Sequence, residues 1–209
     1  MTKVKICGLQ RPEDIEVVNE LKPDFIGFVF AKSKRSVTAD QAKKLKQLLI
    51  PEIKAVGVFV DAPQEEILAL IQANTLDVIQ LHGHENASYI QALKAKTSAT
   101  LIKAVRVRSS EDIEAASFLP VDYLLLDAYH PKEMGGSGVT FDWRLIPPQI
   151  KPYFLAGGLS VDHVATAIKN YNPYGLDVSS KVETEGYKDH KKVAAFIEAV
   201  RKENQHDKW

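Results

Sequence analysis

Short apolar runs alternate along the chain with longer stretches of helical period. The runs that we predict as strands span residues 4–7, 24–30, 55–60, 77–81, 100–105, 123–127, 153–156 and 175–178. Most of them are apolar without strict alternation, which is typical of parallel strands covered on both faces. The pattern therefore predicts a buried parallel sheet of eight strands.

Helical signals lie between these runs. Thr38 and Gln41 are spaced as a capping box, and apolar residues at 193, 196, 197 and 200 follow the i, i+3, i+4, i+7 spacing of one helix face. Eight strand–helix units in 209 residues predict an α/β fold, a single-domain (β/α)8 TIM barrel over residues 1–209. An open doubly wound sheet is the alternative, but residues 7–10 (CGLQ) lack its glycine-rich first turn.

Composition narrows the class of partner. Lysine plus arginine and aspartate plus glutamate each number 27, so the net charge is zero, whereas a nucleic-acid binder usually carries a positive excess or a basic stripe. A local basic pocket stays open. No apolar run reaches the ~20 residues that cross a bilayer, and the first residues lack the features of a signal peptide. We therefore expect a cytoplasmic protein with a small-molecule partner and neither a nucleic-acid nor a membrane partner.

Polar residues recur where the predicted strands end, which is where barrels carry their active sites. Each has an ordinary alternative: Cys7 as a buried hydrophobe, Asp127 as a turn residue, His82 as a loop histidine, Arg35 as a solvated charge. Their joint position at one rim favours an active site. The strand-end residues are Cys7, Arg35, Asp61, Gln80, His82, Arg106, Asp127, Gly157, Gly158, Asp177, Ser179 and Ser180.

Gly157 and Gly158 directly follow the seventh strand. Glycine lets backbone amides approach an anion closely, and barrels often bind phosphate between the loops after strands seven and eight. Ser179 and Ser180 would add hydroxyl and amide donors from the eighth loop, while a plain turn is the alternative. The sequence thus predicts a phosphorylated metabolite as substrate.

Signals for metals and cofactors are weak. His82 and His84 have no carboxylate pair in ligand spacing, and the single Cys7 is poor material for a zinc site. Neither a Walker loop nor a nicotinamide fingerprint occurs. We therefore expect proton-transfer chemistry without a cofactor or metal. The glycine-rich residues 135–138 after the sixth strand are typical of a mobile active-site loop.

Eight segments resemble the phosphoribosylanthranilate isomerase family. They occur in order from residue 3 to about residue 189, at the predicted strand ends. The segments are 5–8 (KICG), 27–30 (GFVF) with 33–35 (SKR), 56–59 (VGVF), 80–83 (QLHG), 126–127 (LD), 135–143 (GGSGVTFDW), 155–159 (LAGGL) and 176–180 (LDVSS).

This resemblance implies an Amadori rearrangement of N-(5-phosphoribosyl)anthranilate to 1-(2-carboxyphenylamino)-1-deoxy-D-ribulose 5-phosphate, a step of L-tryptophan biosynthesis. It implies Asp127 as the general acid, Cys7 as the general base and Arg35 as the partner of the anthranilate carboxylate. The glycine and serine residues of the last loops would hold the phosphate, with help from the loop at 136–137. The implied substrate-binding residues are Arg35, Gln80, His82, Gly136, Ser137, Gly157, Gly158, Asp177, Ser179 and Ser180.

The implied base needs a particular environment. Cys7 must be a thiolate to take the C2′ proton, and a free thiol with a pKa of about 8.5 is mostly protonated at neutral pH. We therefore expect the site to lower the pKa of Cys7, with Lys5 and His82 as candidate cationic neighbours. Lys181 stands where the family often has glycine, and residues 184–189 lack the family's usual proline. The shape of the eighth loop therefore stays open.

Two other classes stay open beside this isomerase. A related sugar-phosphate synthase or histidine-pathway isomerase would also be a phosphate-binding barrel, but the latter needs two phosphate sites and usually an aspartate in place of Cys7. A non-catalytic metabolite sensor or scaffold has no need of Cys7 and Asp127 together. We expect the protein to be a monomer or a homodimer.

Overall fold

The eight apolar runs form parallel strands that pair in chain order and close on themselves. The computed structural model describes residues 1–128 and 140–206. Pairing of the first strand with both the second and the eighth closes the cylinder, which confirms the predicted TIM barrel. The strands are β1 (Lys3–Cys7), β2 (Phe25–Val29), β3 (Lys54–Phe59), β4 (Val78–Leu81), β5 (Thr100–Val107), β6 (Tyr123–Ala128), β7 (Tyr153–Leu155) and β8 (Gly175–Val178).

Helices cover the outside of the barrel, and in the described ranges none of them is both long and apolar enough to cross a membrane. They are α1 (Pro12–Leu21), α2 (Ala39–Leu48), α3 (Gln64–Gln72), α4 (Ala87–Lys94), α5 (Ser110–Ser117), α6 (Val161–Tyr171) and α7 (His190–His206). The predicted capping box is confirmed, since the Thr38 side chain accepts from the Gln41 amide and the Gln41 side chain accepts from the Thr38 amide.

The prediction of eight regular strand–helix units is wrong for the unit that begins with β6, because its described residues form no α-helix. Between β6 and β7, residues 140–152 contain only a short 3-10 turn, Trp143–Leu145. Pro147, Pro148 and Pro152 follow that turn. Because proline lacks an amide proton and clashes with the preceding helical turn, this stretch cannot continue as an α-helix.

The inside of the barrel is apolar toward the amino ends of the strands and polar toward their carboxyl ends. Val56, Val78, Ile102, Leu125 and Phe154 pack there as one buried cluster. A larger apolar layer lies between the strands and the helices. The polar side chains at the opposite end therefore rest on a packed floor.

The eighth loop has a shape that the sequence left open. Lys181 lies in a 3-10 turn, Ser180–Val182, and is not among the residues with positive φ, so the lysine fits without strain. An antiparallel hairpin of β9 (Glu183–Thr184) and β10 (Tyr187–Lys188) follows. Glu185 (φ 53°) and Gly186 (φ 84°) connect the two strands, as in a two-residue type I′ turn. The tight hairpin takes the place of a proline turn.

Candidate active site

The predicted site residues converge on one pocket at the carboxyl ends of the strands. The pocket encloses roughly 940 Å³ including its open mouth, a size suited to a small metabolite. Gly136, Ser137 and the rest of the predicted loop at 135–138 lie outside the described residues. Asp61 is not among the pocket residues. The predicted residues that line the pocket are Cys7, Arg35, Gln80, His82, Arg106, Asp127, Gly157, Gly158, Asp177, Ser179 and Ser180.

Cys7 ends β1, where its thiol is buried at the base of the pocket. Its partner in the neighbouring strand is Gly27. A Cβ at Gly27 would lie 2.6 Å from the Cys7 Sγ and 3.2 Å from its Cα, closer than atoms can pack. The missing side chain of Gly27 therefore provides the space that the sulfur occupies.

Lys5 and Asp177 form a buried ion pair beside this thiol. The Lys5 Nζ lies 2.9 Å from the Asp177 Oδ1, and the lysine side chain is 0% exposed. The two residues are paired positions of β1 and β8. Lys5 and Cys7 are two residues apart on one strand, so their side chains lie on the same face. Lys5, one of the two candidate cations, thus lies next to the thiol.

Burial dominates the ionisation of Cys7. It raises the pKa of the thiol, and the neighbouring charges of Lys5 and Lys188 offset only part of that effect, while Asp177 adds to it. The expectation that the site lowers this pKa is therefore wrong for the protein without ligand. Burial likewise raises the pKa of Asp177 against the opposing charge of Lys5. Burial works to lower the pKa of Lys5, but Asp177 and Cys7 hold it above its usual value.

Asp127 ends β6 on a second polar cluster in the pocket. Its Oδ2 lies 3.3 Å from the His82 Nε2, and the His82 Nδ1 lies 3.1 Å from the Gln80 Nε2. The His82 ring therefore lies between the Asp127 carboxylate and the Gln80 amide, with one ring nitrogen facing each. The Gln80 Oε1 is buried with no hydrogen-bond partner among the described atoms. Gln80, His82 and Asp127 thus form one chain of polar contacts.

Arg35 lies on the rim of the pocket, where its guanidinium is held by a carboxylate of the protein. Its Nε and Nη2 each lie 2.8 Å from an oxygen of Glu183. The Lys188 Nζ contacts the Oε1 of the same carboxylate. Burial works to raise the pKa of Glu183, but the hydrogen bonds from Arg35 and the charge of Lys188 hold it below its usual range. Arg35 is therefore a positioned side chain rather than a freely solvated charge.

Gly157 and Gly158 have the backbone shape that glycine alone adopts readily. Their φ angles are 77° and 65°. A Cβ at Gly157 would lie 2.5 Å from the Ala128 amide nitrogen and 2.9 Å from the Asp127 Oδ1. In the eighth loop, the Ser179 hydroxyl donates to the Cys7 carbonyl at 2.9 Å. The glycine pair thus brings the end of β7 close to Asp127, while Ser179 joins β8 to β1.

Comparison with known proteins places this geometry in a family. Residues 4–199 match the family model described as N-(5'phosphoribosyl)anthranilate (PRA) isomerase. The chain belongs to this family. A relative named N-(5'-phosphoribosyl)anthranilate isomerase from Thermoanaerobacter pseudethanolicus is 50% identical over 203 residues, which cover 96% of this chain and 98% of that protein. The resemblance drawn from the eight segments is confirmed.

Solved structures of the family agree in fold. The crystal structure of phosphoribosyl anthranilate isomerase from Thermotoga maritima superposes with a TM-score of 0.86 at 36% identity, covering 97% of this chain and all of that one. A second structure, of the isomerase in complex with reduced 1-(o-carboxyphenylamino)-1-deoxyribulose 5-phosphate, has a TM-score of 0.84 at 35% identity, covering 97% and 100% of the two chains. Family members therefore share this barrel over nearly their whole length.

Sequence reasoning missed part of the rim of this pocket. Glu183, which holds Arg35, and Lys188, which contacts Glu183, were not among the predicted site residues because they lie beyond the strand end. The available signal was a pair of charged residues, Glu183 and Lys188, that lie five positions apart on either side of Gly186. Within the described ranges, no three His, Cys, Asp or Glu side chains are grouped to hold a metal ion.

Proposed function

We propose that this chain converts N-(5-phosphoribosyl)anthranilate to 1-(2-carboxyphenylamino)-1-deoxy-D-ribulose 5-phosphate in L-tryptophan biosynthesis. The observation that carries the proposal is the pocket in which a thiol on β1 and a carboxylate on β6 face the same space, in a chain of the isomerase family. Binding of a reduced product in a family structure supports it.

Asp127 performs the first step as general acid. It donates its proton to the furanose ring oxygen, so the ring C–O bond breaks and the nitrogen lone pair forms a Schiff base at C1′. The Asp127 carboxylate that remains is close to the His82 Nε2, at 3.3 Å. A hydrogen bond donated by this nitrogen stabilises the negative charge that develops there.

Cys7 performs the second step as general base. Its thiolate removes the proton from C2′, the C–H electrons form the C1′–C2′ double bond, and the Schiff base becomes an enolamine. Tautomerisation of the enolamine gives the ketone product. The buried position of the sulfur excludes bulk water from this proton transfer.

The substrate is held at its two anionic ends. Arg35 meets the anthranilate carboxylate with the donors that Glu183 leaves unused, since a guanidinium has five N–H groups. The phosphate lies against the amides of Gly157 and Gly158 and the donors of Ser179 and Ser180. Apolar residues of the same pocket, such as Val58, contact the ring.

Turnover of phosphoribosylanthranilate, followed by the loss of its fluorescence, tests this proposal. We expect saturable turnover without added metal or cofactor. The control is Cys7→Ser, for which we expect a folded protein by circular dichroism and a kcat lower by on the order of 10² or more. A purified and folded wild-type protein that leaves the substrate unchanged would contradict the proposal.

A cytoplasmic location and a monomeric or homodimeric state stay predictions. One family structure is of monomers generated from the dimeric isomerase of Thermotoga maritima, so that isomerase occurs in both states. Light scattering on the purified protein decides between them.

A further inference from the structure

We propose that Lys5 is a positioning residue for the reaction: its buried ammonium, held by Asp177, provides the positive charge beside which the Cys7 thiolate forms. Nothing in the family comparison assigns a role to this lysine. The inference rests on the proposed function only in giving Cys7 the role of base. It can be measured on the thiol without any substrate.

Burial and strand geometry place the charge. Lys5 is fully buried, and its Nζ lies 2.9 Å from the Asp177 Oδ1. Because Lys5 and Asp177 are paired positions of neighbouring strands, the register of β1 and β8 places the two side chains next to each other. The ammonium also acts on the Cys7 sulfur as a nearby positive charge from the same face of β1. One cation is thus shared between a carboxylate and a thiol.

Four charged groups face the thiol from the elements packed around it. Lys5 lies on its own strand, Asp177 on β8, Lys188 on β10, and Arg35 on the loop after β2. Lys188 and Arg35 are both engaged by the Glu183 carboxylate, which offsets their charge. Lys5 is opposed only by Asp177 among these groups, and it is the largest stabilising charge on the thiolate.

A buried lysine is costly, so its presence calls for an anion to be stabilised. A buried ammonium pairs with a carboxylate at a cost in desolvation that the pair barely recovers, and an apolar pair would pack the same space. When Cys7 loses its proton, the cluster changes from one anion and one cation to two anions around one cation. The positive charge of Lys5 lowers the electrostatic cost of forming the second anion in this buried site.

The single cysteine makes the test direct. Because Cys7 is the only thiol in the chain, its alkylation by iodoacetamide and its thiolate absorbance near 240 nm report one group. In Lys5→Met we expect alkylation at pH 7.5 to be about tenfold slower or more, since an adjacent opposite charge changes ionisation by at least that factor. Lys5→Arg keeps the charge and restores most of the rate.

We expect the Asp177→Asn variant to change the alkylation rate in the opposite direction. Without the carboxylate, the thiolate is the remaining anion for Lys5, so alkylation at pH 7.5 becomes faster than in the wild type. The double variant Lys5→Met/Asp177→Asn leaves no unpaired charge at these two positions. Comparison of the double variant with Asp177→Asn therefore isolates the lysine even if Lys5→Met alone fails to fold.

Lys103→Met is the matched control. Lys103 is another buried lysine, paired with Glu85 at 2.9 Å, but it does not line the Cys7 pocket. We expect its removal to leave the Cys7 titration unchanged. If buried lysines had only a structural role, Lys5→Met and Lys103→Met would shift the Cys7 titration by similar amounts.

Equal alkylation–pH profiles for Asp177→Asn and the double variant would overturn the inference. If the profiles separate as expected but the wild type does not turn over phosphoribosylanthranilate, the proposed function fails and the role of Lys5 stands. If turnover occurs and the profiles coincide, the proposed function stands and Lys5 has no part in it.

Discussion

Two ion-pair groups flank the same thiol, one in the floor of the pocket and one on its rim. The floor pair, Lys5 with Asp177, is carried by neighbouring strands in register, with side chains 0% and 10% exposed. The rim group joins Arg35, 24% exposed, to Glu183 and Lys188 of the hairpin. The floor is fixed by the barrel and the rim by loops.

This difference indicates which ion pair affects the reactivity of the thiol and which affects the binding of the substrate. A charge in the strand floor has no freedom to follow a ligand, so it can set only the ionisation of the thiol beside it. A charge on the loop rim keeps unused donors toward the pocket and can meet a substrate group. We therefore expect changes in the floor to alter kcat and changes in the rim to alter KM.

Removing the reacting groups should give the largest effect. Cys7→Ser and Asp127→Asn should each lower kcat by on the order of 10² or more, because each removes a general base or acid. KM should change little, since neither change touches the groups that hold the substrate's anionic ends. Steady-state kinetics on the folded variants check this. Near wild-type kcat in either variant would remove that residue from its role.

Removing the rim cation should give the next effect. Arg35→Ala should raise KM by about tenfold to a hundredfold, the range for losing a hydrogen bond to a charged group, with a smaller change in kcat. Arg201→Ala is the control, because that exposed arginine donates, among the described residues, to the carbonyls of Leu21 and Lys22. If KM stays constant in Arg35→Ala, the rim does not bind the carboxylate.

Glycine substitutions compare the two regions directly. Gly27→Ala places a Cβ 2.6 Å from the Cys7 Sγ, so the sulfur must move and kcat should fall by about tenfold. Gly186→Ala adds a methyl group in open space at the hairpin tip, but at a φ of 84°. It should cost about 1 kcal/mol of stability and leave kcat unchanged. Steady-state kinetics and urea unfolding of both variants distinguish the loss of activity from the loss of stability. A lower kcat in Gly186→Ala would contradict the expected difference between floor and rim.

Acid should weaken the rim, which is the smallest effect. The pKa of Glu183 is lowered from an ordinary value of 4.5, with the opposing cations of Arg35 and Lys188 outweighing burial. Its contribution to stability is therefore present above about pH 4.5 and is lost as the pH falls through the lowered value. Urea unfolding of the wild type and Glu183→Gln should show a difference that shrinks below pH 4.5. A constant difference would exclude the ion pair as its source.

The sequence predicted the floor better than the rim for physical reasons. Strand ends converge in any barrel, so Cys7, Asp127 and Asp177 were assigned to one mouth from spacing alone. Strand alternation put Lys5 beside Cys7 as a candidate, but only the register of β1 against β8 identifies its partner. The net direction of the thiol's pKa depends on the balance between burial and charge, which no linear pattern contains.

The rim escaped prediction because loops do not follow a period. Arg35 and Glu183 are 148 positions apart, and their contact depends on a hairpin that only two positive φ angles, at Glu185 and Gly186, make possible. The sequence placed Arg35 near a strand end and the resemblance gave it a substrate carboxylate as partner, but neither gave a sign that a carboxylate of the protein holds it. Long-range loop pairing of this kind has no local signal.

The seam between β1 and β8 makes the thiol a reporter of folding. The Lys5–Asp177 pair and the bond from the Ser179 hydroxyl to the Cys7 carbonyl each join residues 172 positions apart. Closing so long a loop carries an entropic cost that is recovered only when the strands pair. A partly folded chain retains Cys7 and Lys5 without their packed arrangement, and a chain cut before β8 also lacks Asp177 and Lys188. The ionisation of one sulfur therefore measures whether the first and last strands have met.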